Sequence, residues 1–202
     1  MSLSISICSG ARQAPKRFHE PVGVSLLEDA THLILAYTYL DVKSNFELAE
    51  VQLRKAFELN PNDYWNYCIK TSISMRVDDF EQGISCANEA IRRNPFLPDF
   101  CFSERGFCEY FDQQYDSAIK TFGRMLAFET HVQGCTAACY AQLGRDEEAR
   151  VAAAEFRDRA EAEGFSDWDA ESWQEYWSNL FVLDDPEPSE RLLDGLRKAG
   201  LP

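Results

Sequence analysis

This 202-residue chain has no stretch apolar enough to enter a bilayer. No run approaches the ~20 residues that a membrane helix needs. Residues 1–10 lack the charged start and apolar core of a secretion signal. Cations are scarce, with 20 Lys and Arg against 34 Asp and Glu and a formal charge of −14. That balance argues against nucleic acid, because phosphate binding needs clustered cations that release counterions. It argues equally against an anionic membrane surface. Histidine is rarer still, and His19, His32 and His131 are scattered. The glycines form no phosphate-cradling cluster, and no Ser or Cys stands in a nucleophile motif. The acid pairs Asp78-Asp79 and Asp184-Asp185 fall in turns, where carboxylates cap helices and solvate the chain. No catalytic residue and no cofactor is therefore expected.

The apolar fraction, 45%, is enough for a sizeable core in one domain. The seven cysteines are an odd number without the spacing of a disulfide-rich domain. Most lie inside apolar helical patterns, where free Cys acts as a small hydrophobe, and a reducing cytoplasm is the expected location. His131, Cys135 and Cys139 are four apart on one helical stripe. The outer two are separated by ~12 Å of helix, too far for one coordination sphere. The expectation is a packing stripe and no metal.

The strongest pattern is a column of small residues. Ala49, Gly83, Ala118 and Ala149 stand at intervals of 34, 35 and 31, and Phe46, Phe80 and Tyr115 precede the first three by three residues. Pro61 and Pro95 are again 34 apart. A period near 34 with Ala-x3-large and a late Pro resembles the tetratricopeptide repeat. That resemblance covers roughly residues 25–160 and implies an all-α solenoid of about four helix pairs.

Three regions follow. Residues 1–22, with Pro15, Pro21 and Gly10 and no periodicity, read as a flexible leader or linker. Residues 23–163 hold the array. Its first pair starts near Ser25 and breaks at Ser44-Asn45. Later segments end at Asn60-Pro61, Asp78-Asp79 and Pro95, and Gly144 occupies a left-handed cap position. Gly83 sits where two backbones approach. The third pair is rich in aromatics, Phe128 among them, but its register conflicts: with Gly106 at the motif's glycine, Arg105 and Glu109 fall where core residues belong. Residues 164–202 carry nine acids, three bases and the cluster Trp168, Trp173, Tyr176 and Trp177, and with Glu161 and Glu163 the acids number eleven. Ser166 with Asp169, and then Ser189, are the expected caps of two further helices, the last closed by Gly200. This segment can shield the array's last apolar face.

In a solenoid the first helix of each pair lines the concave side, the usual recognition surface. By register that face carries Thr31, Ile34 and Thr38, then Trp65, Cys68, Ser72, Met75 and Arg76. Phe100, Ser103, Phe107 and Phe111 come next, followed by His131 and Ala138. The candidate partner-binding residues are Trp65, Met75, Arg76, Phe100, Phe107, Phe111 and His131. Two arrangements fit this pattern: an open apolar groove for a protein or peptide, or aromatics absorbed into the core and covered by the chain's own tail.

Two finer resemblances bear on function. One tetratricopeptide subgroup binds acidic chaperone tails through Lys, Arg and Asn, but the corresponding places here hold Ile34, Thr38, Cys68 and Ile69, so that activity does not transfer. The stretch Gly144-Arg145-Asp146-Glu147-Glu148-Ala149-Arg150, with residues 190–202, resembles the C-terminal repeat region of bacterial class III adenylate/guanylate cyclase-type proteins. That implies a non-catalytic regulatory module that can contact a cyclase domain of the same parent. The alternative is a stand-alone adaptor binding an apolar peptide or helix. An enzyme with a site among the acids and His131 is the third reading.

Overall fold

The structure, a computed structural model, describes residues 22–41, 45–127, 129–165, 170–181, 183 and 185–201, with side chains left out at 22–27, 41 and 170. The expected leader through residue 21, Ser44, Phe128, the Ser166–Asp169 cap with Trp168, and Asp184 lie outside the described residues.

Ten α-helices and no strand are present among the described residues. They are α1 (Val22–Asp41), α2 (Phe46–Leu59), α3 (Tyr64–Arg76), α4 (Phe80–Arg93) and α5 (Asp99–Phe111). Then come α6 (Tyr115–Phe122), α7 (Thr130–Gln142), α8 (Asp146–Ala162), α9 (Ala170–Leu180) and α10 (Pro186–Lys198). No helix is long and apolar enough to cross a membrane among the described residues. Helices α1/α2, α3/α4, α5/α6 and α7/α8 pack as pairs, while α1, α3, α5 and α7 contact one another in succession. α10 lies back on α7.

Local chemistry sets these boundaries. Carboxylate or amide oxygens of Asn45, Asp63 and Asp79 accept the Leu48, Trp65 and Gln82 N–H groups, satisfying donors that the first turn leaves free. Phe46, Phe80 and Tyr115 are the first residues of α2, α4 and α6. Phe80 reaches forward to Phe111 of α5, with ring centroids 5.5 Å apart, and Tyr115 reaches back to Tyr110 of α5 at 5.3 Å. The turns between paired helices share one device. Asp78, Gln113 and Gly144 adopt φ of 58°, 61° and 68°, each two residues ahead of the next helix. The left-handed position expected at Gly144 is thus common to three pairs. The last helix begins earlier than expected: Asp185, not Ser189, caps it by accepting the Glu187 N–H at 2.9 Å. A carboxylate followed by Pro at the first turn outcompetes a serine further on.

The small-residue column is buried between helices. A Cβ on Gly83 would come 2.6 Å from the Cys108 sulfur, so α4 and α5 meet there at the distance glycine allows. The register conflict in α5 is also resolved. Glu109 is buried, and its carboxylate accepts from Arg105 Nε at 2.9 Å and from the Ser117 hydroxyl at 2.8 Å. A carboxylate stays at a core position because two donors accompany it. Cys68 and Cys101 are paired as a disulfide between α3 and α5, with Cα atoms 5.6 Å apart. This corrects the expectation of free thiols for the cysteines inside helical patterns at these two positions. Helical periodicity hides the pair, since only stacking brings these two faces together. Cys86, Cys108, Cys135 and Cys139 are free and buried, as expected of small hydrophobes.

Two outcomes follow. Gly106→Ala gains up to ~1 kcal/mol of helix propensity. Its new methyl, however, would overlap the Phe122 ring, and overpacking costs about 1–3 kcal/mol. The net loss should appear in the urea midpoint. At Gly123, which has ordinary space for a Cβ, the same change should be neutral or stabilising. The disulfide spans 33 positions, so its reduction should cost on the order of 3–4 kcal/mol of unfolding free energy, read by denaturation with and without reductant.

Candidate functional site

The concave face of α1, α3, α5 and α7 is divided in two. Over α5 and α7 it is filled by the chain's own C-terminal segment. Trp173 and Trp177 of α9 pack on Phe156 of α8 at 4.9 and 6.2 Å. Phe181, just past α9, wedges between Phe107 at 4.9 Å and Phe111 at 5.2 Å. The chain then reaches the turn between α3 and α4, where the Asp185 N–H donates to the Asp78 carboxylate at 2.6 Å. From there α10 returns along α7. The Tyr110 hydroxyl donates to the Arg191 carbonyl at 3.3 Å and Gln142 Nε2 to the same carbonyl at 3.1 Å. Burial pushes the Tyr110 phenol far above its ordinary range.

Two glycines shape this seat. At Gly134 of α7 a Cβ would come 2.7 Å from the Trp177 ring, and at Gly195 of α10 it would come 2.8 Å from the Tyr110 oxygen. Both surfaces are cut to receive the other. Trp173, Trp177, Phe181, Leu192, Leu196 and Leu201 are all buried. At ~1.5–3 kcal/mol each, their burial exceeds the few kcal/mol that separate interconverting states of a protein. The segment is therefore a constitutive part of the fold.

The sequence-predicted residues separate accordingly. Met75 is buried in the core, and Phe107 and Phe111 are buried against Phe181. Arg76 is half-buried, donates to the Ser72 carbonyl at 3.3 Å and lies 3.7 Å from Glu104. His131 is half-buried at 5.6 Å from the Phe107 ring, with Nε2 3.2 Å from Glu129. Burial lowers its pKa from the ordinary 6.5, against the opposing pull of Glu129 and Glu163.

Trp65 and Phe100 lie elsewhere. With Leu33, Ile34, Tyr37 and Ile69 they line a pocket of about 440 Å³ across α1, α3 and α5, outside the covered half. Ile34 is 65% exposed and Tyr37 is 42% exposed, and Tyr37 meets Phe100 edge-on at 6.3 Å. Tyr64 stacks on Trp65 at 5.4 Å. Among the described residues, no charged side chain lines this pocket. It can exclude water from an apolar side chain and offers nothing to polarise a bond. Leu33 and Tyr37 were absent from the expected groove, although the Leu33–Tyr37 spacing of four carried the signal. The disulfide underlies the pocket: Cys68 follows Trp65 by one turn and Cys101 follows Phe100 directly.

No known family profile matches the chain. A 93-residue stretch, 46% of the chain, is 24% identical to the SGT1 homolog of Bos taurus, and the chain spans about a quarter of that relative's length (27%). Among solved structures, Pseudomonas aeruginosa PilF superposes with a TM-score of 0.61 at 14% identity, over 88% of this chain and 78% of that one. YrrB, described as a TPR protein with an unusual peptide-binding site, superposes with a TM-score of 0.58 at 17% identity, over 89% and 91%. The fold is a tetratricopeptide-type α-solenoid.

The seating of His131 has a measurable consequence. Folding favours the neutral ring, so the unfolded chain binds the proton more readily. Stability from this site is complete above pH 6.5 and is lost as the pH falls below it. Urea midpoints between pH 7.5 and 5.5 should fall more steeply for the wild type than for His131→Gln; parallel slopes would contradict the assignment.

Proposed function

We propose that this chain is a non-catalytic interaction module that holds an apolar segment of another protein in the uncovered half of its concave face. The observation that carries this reading is the pocket of Leu33, Ile34, Tyr37, Trp65, Ile69 and Phe100. Three different helices contribute apolar side chains to one site, and the C-terminal segment that covers Phe107 and Phe111 does not line it. Contiguous exposed apolar surface of this kind marks contact sites. Aromatic anchors in such pockets supply most of the binding energy. The partner's anchor is an apolar or aromatic side chain on a peptide or helix, because a buried charge there would meet no counter-charge.

The setting we propose is the C-terminal regulatory region of a cyclase-type signalling protein. Support comes from the resemblance of residues 144–150 and 190–202, and a stand-alone adaptor is equally compatible with the geometry. An upstream cyclase domain in the same open reading frame distinguishes the two.

The pocket itself is tested by binding. Peptides selected from a random 12-residue library against the intact protein should carry an aromatic or aliphatic anchor. Ile34→Glu or Phe100→Ala should weaken their capture about tenfold or more without changing helix content, the usual loss on removing an anchor contact. Phe107→Ala should instead cost about 3–5 kcal/mol of stability, as a core truncation does. Selected peptides indifferent to Ile34 and Phe100 would refute the site.

A further inference from the structure

A second surface lies on the opposite, convex side. Helices α2 and α4 each have 14 residues, but α6 has eight and α8 has 17. The cause is visible in the loop after α6. The Asp99 carboxylate accepts the N–H groups of Leu126 and Ala127 at 3.0 and 2.8 Å, drawing the chain toward the start of α5. Met125 is buried there. About six residues of helix, ~9 Å, are thus missing beside α8.

The result is a trough of about 940 Å³ between α6, α7 and α8. Its floor is apolar, with half-buried Ile119 and Val151, the latter 53% exposed, lying over buried Phe122 and Ala152. Its walls carry Glu147, Glu148, Glu155, Asp158 and Glu163 against one lining cation, Arg159. Arg145 and Arg150 pair with Glu148 and Glu147 from outside the trough, at 2.7 and 2.5 Å, and leave the lining acidic on balance. Two carboxylates are held in place by α7: Glu155 accepts from Gln133 Nε2 at 2.5 Å and Glu163 from the Thr130 hydroxyl at 2.6 Å.

We propose that this trough docks a basic amphipathic helix from a partner protein, lying along α8 and across the gap that the short α6 leaves. Residues 147–162 of α8 offer ~23 Å of length, enough for three to four turns. Apolar residues at i, i+3, i+4 and i+7 of the partner meet Val151 and Ile119. Its flanking Lys and Arg meet Glu155, Asp158 and Glu147, and this complementarity sets orientation and on-rate. The surface is separate from the Trp65–Phe100 pocket, so either site can fail without the other.

The test uses the full chain and a fluorescein-labelled 15-residue helical peptide with a Leu stripe and Lys/Arg flanks, with a Glu-flanked peptide of the same stripe as control. Fluorescence anisotropy should show binding of the basic peptide only. A Glu155→Lys, Asp158→Lys double variant should weaken that binding at least about tenfold, the scale of losing close charge complementarity. Val151→Ser should weaken it as well, and Phe100→Ala should leave it unchanged. Any of three outcomes overturns the proposal: no binding of the basic peptide, equal weakening by reversing Glu171 and Glu175 outside the trough, or competition by peptides held at Phe100. Sedimentation gives a fourth. A dimer dissociated by Val151→Glu would assign the trough to a second copy of this chain.

Discussion

A two-helix hairpin cannot cover its own apolar surface, and the architecture follows from that shortage. Each pair buries one stripe internally and leaves another, which only a neighbouring pair can shield. Stacking solves the problem between pairs and moves it to the end of the array. Here the terminal solution is unusually large. α9 and α10 do not merely close the last pair but fold back over α5 and α7, inserting Phe181 between Phe107 and Phe111. They reach as far as Asp78, two pairs away. The C-terminal segment therefore belongs to the core of the third and fourth pairs.

That choice determines where a partner can sit. A concave surface that would otherwise run the length of the array is shortened to the α1, α3 and α5 end, where Ile34 and Tyr37 stay exposed above Trp65 and Phe100. The disulfide between Cys68 and Cys101 ties two of these helices beneath the pocket. On the convex side, the early turn of α6 opens a trough of contrasting character, with acidic walls over an apolar floor. One surface selects by shape and hydrophobicity, the other by shape and charge.

Much of this was legible in the chain. The small-residue column, the leading aromatics and the two prolines specify helices and their pairing, because 3.6-residue periodicity and capping chemistry are local properties. Ala49, Gly83, Ala118 and Ala149 are where close packing places them. Arg105 and Glu109 look like a register error by pattern, yet buried Glu109 is ion-paired with half-buried Arg105, since pattern alone does not distinguish a paired charge from a misplaced one. The groove was legible only in outline. Trp65, Phe100, Phe107 and Phe111 share a helical face and a composition, and nothing local separates the two that are open from the two that are covered.

The sequence by itself determined the unit: helix pairs, their turns, their caps and the solenoid that such pairs must build. Tertiary structure alone decided which part of the shared face faces water, which cysteines meet and where a shortened helix leaves a gap. The reason is one of range. Periodicity and capping act over a turn or two of chain. The contacts of Phe181 with Phe107, of Asp185 with Asp78 and of Cys68 with Cys101 join residues 33 to 107 positions apart, and they exist only once the pairs have stacked.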